Sequence, residues 1–197
     1  MTSVDFWFDP TCPWAWMTSR WLTEVAAERD LDIHWHILSL AVLNEGRELD
    51  PDYREKIDKT WPTARVIAAR GDDNDAVARL YTALGERIHL QQRTDADEII
   101  REALAECDLP AELAEVTSGE TVDEAMRAST RRALELVGDD VGVPVIAIDD
   151  VAFFGPVVSP APHGEEALRL WDGCVAVASV PGFFELKRSR NVGPIFE

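Results

Sequence analysis

Phe8-Asp9-Pro10-Thr11-Cys12-Pro13-Trp14-Ala15-Trp16 decides how the rest of the chain is read. Ahead of it, Val4-Asp5-Phe6-Trp7-Phe8 is rich in aromatic and β-branched residues and reads as a buried strand. Asp9-Pro10-Thr11 breaks that strand. Pro13 suits the first position of a helix, where its missing N–H costs nothing. The apolar spacing of Trp16, Trp21, Leu22 and Val25 carries that helix to about Arg29. Cys12 is therefore expected at a strand-to-helix junction. There, unpaired amides and the positive end of the helix dipole favour a thiolate, the nucleophilic form of cysteine.

Working outward, Asp32 to Leu38 alternates with period two and places Ile33, Trp35 and Ile37 on one face of a second strand. A helix of this length can cross between parallel strands, so the first third of the chain is a βαβ unit. Residues from about 51 to 138 read as almost wholly helical, with breaks expected near Pro62, Gly71, Gly85, Pro110 and Gly119. Strand character returns at Val143 to Ile148, and Asp149-Asp150 turns it into Val151 to Phe154. A last helix is expected from about Gly164 to Ala178, followed by an irregular tail. The order is βαβ, a helical block, then ββα. This predicts an α/β fold: one mixed sheet interrupted by a helical subdomain, with a cleft between them.

Composition bounds the function. With 197 residues and 46% hydrophobic residues, the chain can bury a core of its own. A net charge of −18 disfavours nucleic acid and anionic membrane as partners. No apolar run is long enough for a membrane helix, and no basic and apolar leader precedes the first strand, so a cytoplasmic location is expected. Cys12, Cys107 and Cys174 are too widely spaced for a disulfide framework. The last two lie on helical apolar stripes and read as small buried hydrophobes.

Val143-Pro144 is a second signal. Proline cannot donate to a sheet ladder, and a cis bond at this position would explain its place at a strand start. His34 and His36 share a strand face but have no third metal ligand nearby, so a structural pair is expected and no metal site. His89 is expected to pack within the helical block, and His163 to sit at the start of the last helix.

Together, Cys12-Pro13-Trp14 after an Asp-Pro loop, a long helical insertion and Val143-Pro144 resemble the DsbA-like branch of the thioredoxin superfamily. Several stretches resemble the actinobacterial mycothiol-dependent reductases, also called mycothiol-dependent nitroreductases. They are Asp5 to Pro10, Thr18 to Trp21, Leu43 to Glu45, Arg87 to His89, Val151 to Val157 and Phe183 to Arg188. The resemblance implies a thioredoxin fold formed by residues 1–45 and 139–197, with 46–138 inserted. It also implies thiol–disulfide or nitro-group reduction through Cys12, with mycothiol as cosubstrate and no tightly bound cofactor. Asn44 and Tyr53 would then face the cleft, and Pro13, Trp14 and Val143 would flank the substrate. One position departs from the pattern: Ala15 stands where such enzymes carry a second, resolving cysteine. Either the substitution is engineered, or the chain is a natural monothiol resolved by an external thiol. Two other readings compete. Kappa-class glutathione transferases and hydroxychromene carboxylate isomerases share the layout but use Ser in place of the nucleophilic Cys. A non-catalytic redox sensor would keep one reactive cysteine and lose its resolver.

Overall fold

A computed structural model describes residues 1–196. Strand β1 (Thr2–Phe8) leads through α1 (Pro13–Glu28) into β2 (Leu31–Ile37), and β1 and β2 pair in parallel with Phe6 opposite Trp35. Among the described residues, six α-helices follow: α2 (Leu40–Leu43), α3 (Pro51–Asp58), α4 (Trp61–Ala68), α5 (Asn74–Gly85), α6 (Ala96–Glu106) and α7 (Asp123–Val137), with a 3-10 helix, Ala111–Ser118, between the last two. The hairpin β3 (Val145–Ile148) and β4 (Val151–Phe154) then adds to the sheet, and α8 (Gly164–Ala178) follows. The sheet order is β2-β1-β3-β4, with β3 antiparallel to both β1 and β4.

The central strand shows why this order is stable. Phe6, Trp7 and Phe8 are all fully buried, because β1 has neighbours on both edges and helices on both faces. On one face, Phe8 stacks on Tyr81 of α5 at 3.8 Å between ring centroids, and Tyr81 meets Trp16 of α1 edge-on. On the other face, Trp7 lies beside His36, with Arg132 of α7 over its ring. The Trp21 indole N–H donates to the Ala167 carbonyl at 3.0 Å, locking α1 to α8.

The open edge of β2 is closed by side chains. Asn74 accepts from the Trp35 N–H and donates to the Ile33 carbonyl, both at 2.8 Å, in place of a neighbouring strand. The Ser129 hydroxyl of α7 donates to the Ile37 carbonyl at 2.6 Å. The tight turn at Asp149 adopts φ 51°, a left-handed conformation that aspartate tolerates better than most residues.

The break expected near Pro62 falls at Lys59–Thr60, and Pro62 itself lies in the first turn of α4, where a missing N–H is harmless. Two expectations are corrected. Gly85 is not a break: the helix runs on as a π-helical turn, Glu86–Leu90, and ends only at residues 91–95. Glycine is required there for space, since a Cβ at residue 85 would sit 2.1 Å from Trp16 Cζ3. The third strand begins at Val145 rather than Val143, because Pro144 has no N–H to enter the ladder.

Candidate active site

The loop between β1 and α1 is held by a buried carboxylate. Asp9 is fully buried. One of its oxygens accepts from the Thr11 N–H (2.9 Å) and hydroxyl (2.7 Å), and the other from the Leu40 N–H (2.8 Å). Burial still holds its carboxyl above the ordinary aspartate range, outweighing these donors. The Cys12 N–H donates to the Asp9 carbonyl at 3.0 Å, which sets the turn. An acidic residue three positions before a helix-starting cysteine was the signal available in the sequence.

Cys12 occupies the N-cap position of α1 with extended backbone. Its thiol lies 3.8 Å from the Val143 carbonyl oxygen and donates to it. The Val143–Pro144 peptide bond is cis. Residues 131 positions apart thus form one surface around the sulfur. Thr18 ties α1 to the loop after β4, its hydroxyl 2.7 Å from the Pro156 carbonyl and 3.0 Å from that of Trp14.

The expectation of a low Cys12 pKa is overturned. Burial of the sulfur, only 7% exposed, pushes the thiol up to about 11. The backbone donors expected from the helix N-terminus are present, at Ala15 and Trp14, and they favour the thiolate. They are outweighed by lost hydration, to which the nearby Asp9 charge adds. Arg190, from the C-terminal tail, opposes both. The closed site therefore holds a neutral thiol.

The other expected residues divide. Ala15 is fully buried and presents only a methyl group and its N–H. Pro13 and Trp14 are half-buried in the first turn of α1, and the Arg190 guanidinium lies 4.8 Å from the Trp14 ring. Asn44 is buried, but its amide donates to the Leu40 carbonyl at 2.8 Å and caps α2. Tyr53 is exposed in the first turn of α3. Neither Asn44 nor Tyr53 is bonded to Cys12. Cys107 and Cys174 are buried with free thiols, and burial raises the pKa of both.

His89, expected to pack in the helical block, is buried but also reaches the active-site loop. Its Nε2–H donates to the Pro10 carbonyl at 2.9 Å, and its ring stacks on Trp16 at 5.5 Å. Burial pushes its pKa down to about 4, so it stays neutral. His36 pairs with Asp5, and His34 with Asp32 at 3.3 Å. A groove of about 530 Å³ between the β2 edge, α4 and α7 is lined by Trp35, His36, Ile67 and Arg132, and Cys12 is not part of its wall.

The sheet order, the helix-capping cysteine and the cis-proline facing it define a DsbA-like thioredoxin-fold protein. The sequence pattern of the Rv2466c-like family, described as mycothiol-dependent nitroreductase Rv2466c, matches residues 11–188, and the chain belongs to that family of oxidoreductases. It is 30% identical over 194 residues to the uncharacterized protein Rv2286c of Mycobacterium tuberculosis, covering 97% of this chain and 84% of that protein. Among solved structures, it is similar to a probable DsbA oxidoreductase from Streptomyces coelicolor (TM-score 0.61, 18% identity, covering 97% of this chain and 95% of that one). It is also similar to the cytosolic disulfide reductase DsbM from Pseudomonas aeruginosa with GSH (TM-score 0.54, 21% identity, covering 88% and 99%). A 2-hydroxychromene-2-carboxylate isomerase shares the fold as well (TM-score 0.59, 15% identity, covering 88% and 94%). Among the described residues, no helix is long and apolar enough to cross a membrane.

Proposed function

We propose that this protein is a cytoplasmic, mycothiol-linked thiol–disulfide oxidoreductase that acts through Cys12 as a monothiol. The observation that carries this reading is the Cys12 sulfur at the start of α1, with the Ala15 and Trp14 amides turned toward it and the Val143 carbonyl 3.8 Å away. Once deprotonated, the sulfur attacks one sulfur of a disulfide, forming a mixed disulfide and releasing the other half as a thiolate. With Ala15 at the resolving position, a low-molecular-weight thiol attacks the mixed disulfide. That step releases a new disulfide and regenerates the Cys12 thiolate. Electrophiles such as nitroaromatics would be reduced through the same sulfur, with two thiols supplying each electron pair and leaving as a disulfide. Trp14 and Val143 would flank the substrate and Pro144 would hold the wall facing the sulfur. Residues 1–45 and 139–197 would form the catalytic unit, with 46–138 covering it as an insert.

The test compares wild type, Cys12→Ser and Ala15→Cys with mycothiol as reductant and a mycothiolated protein or a nitroaromatic as acceptor. Turnover is expected in wild type, lost in Cys12→Ser, and less dependent on mycothiol concentration in Ala15→Cys. Failure of the wild type to reduce either acceptor refutes the monothiol reading, and failure of Ala15→Cys as well refutes the oxidoreductase reading.

A further inference from the structure

The C-terminal tail returns to residues on and beside the active-site loop. After α8, a turn forms in which the Gly182 and Phe183 N–H groups both donate to the Val180 carbonyl. The rest of the tail has no regular structure, yet it returns to the active-site loop. Arg190 places its guanidinium 4.8 Å from the Trp14 ring, two residues from the thiol. Phe196 stacks on His89 at 5.6 Å, and His89 in turn holds the carbonyl of Pro10, two residues before Cys12. Between these clasps, the Ser159 hydroxyl donates to the Gly193 carbonyl (3.2 Å) and accepts from the Ile195 N–H (2.8 Å).

The attachment is sparse. Phe184 and Leu186 are 91% and 84% exposed, and Arg190 and Val192 are exposed as well. A segment with so few buried contacts opens at a free-energy cost far below that of global unfolding. The tail also brings positive charge, as Lys187, Arg188 and Arg190, to a strongly acidic chain. The bound strap therefore combines a cation–π contact, one aromatic stack and one anchoring hydroxyl, each of modest strength.

We propose that residues 184–196 are a strap that closes the active site, clasped by Arg190 on Trp14 and by Phe196 on His89, and that reagents reach the Cys12 sulfur only when it lifts. The inference rests on Cys12 being the reactive thiol, but its test does not depend on mycothiol turnover. Iodoacetamide labelling of Cys12 at pH 8 is followed by mass spectrometry in three proteins: the full chain, a chain ending at Ser189, and the full-length double variant Arg190→Ala/Phe196→Ala. Lifting the strap removes the Arg190 charge, which favours the thiolate, but rehydrates the sulfur, which favours it more; if the thiol falls from about 11 to its ordinary value of 9.0, the thiolate fraction rises about 100-fold. The accompanying loss of nucleophilicity returns about tenfold of that. Labelling about tenfold faster is therefore expected in both variants, with Cys107 and Cys174 still protected. Rates within twofold of the full chain in both variants, with those two cysteines still protected, overturn the strap. If the shortened chain exposes all three cysteines, its fold is lost, and the double variant decides by the same ratio. Fast labelling without any thiol–disulfide turnover would refute the functional proposal and leave the strap standing.

Discussion

His89 makes the active-site loop sensitive to acid, and the size of the effect follows from its surroundings. The ring is 5% exposed, donates through Nε2 to the Pro10 carbonyl, and is held at a pKa of about 4 by burial. In the unfolded chain it titrates near its ordinary value of 6.5. Above pH 6.5 both states are neutral, and the group adds nothing to the pH dependence. Below it, the unfolded state takes up a proton that the folded state refuses until about pH 4, so stability falls as pH drops through this window. At about 1.4 kcal/mol per unit inside the window, acidification from pH 7 to 4.5 removes about 2 kcal/mol through this residue alone. Urea unfolding at the two pH values, followed by tryptophan fluorescence, measures it in wild type and His89→Gln. A glutamine amide can keep the bond to Pro10 but does not titrate. The stacking it forfeits lowers stability at both pH values alike, and the carboxylates that titrate in this range are common to both proteins. The wild type is expected to lose about 2 kcal/mol more than the variant. Equal losses would show that His89 is not held neutral and that the assigned environment is wrong.

Gly85→Ala would bring a methyl carbon within 2.1 Å of Trp16, which is 3% exposed and confined by Tyr81 and His89. Overpacking of about 3 kcal/mol exceeds a helix-propensity gain of about 1 kcal/mol, so a thermal melt should show Tm lower by about 4–8 °C. Gly173→Ala on α8, where an added Cβ meets nothing within 4 Å, should instead leave Tm unchanged or slightly raised. Asp123→Ala removes the buried partner of Arg65, which the carboxylate binds in a fork at 2.8 and 2.9 Å, and should cost about 3 kcal/mol in urea unfolding. A loss below about 1 kcal/mol would show the pair to be no stronger than a surface contact.

What sequence alone determined were the features encoded over a few consecutive residues. Pro13 and the apolar spacing after it specify α1, the period-two run specifies β2, and Asp149-Asp150 specifies the hairpin turn. The last helix runs from Gly164 to Ala178 as its pattern predicts. The placement of Cys12 at a helix start was legible for the same reason, and so were the amides that turn toward its sulfur. Tertiary structure decided everything that depends on which distant groups exclude water. Asp9 reads as a loop residue, yet it is buried, and the Leu40 N–H of the next unit offsets part of the cost. Gly85 reads as a helix stop, yet it is there to admit the Trp16 ring. Asn44, assigned to the cleft by resemblance, gives its amide to Leu40. The protonation of Cys12 is the clearest case. A helix N-terminus acts on the sulfur through neighbouring residues and is visible in sequence. Desolvation acts through the whole enclosure, here closed by Val143 and a tail nearly 180 residues downstream. The two influences oppose each other, and in the closed fold the enclosure wins.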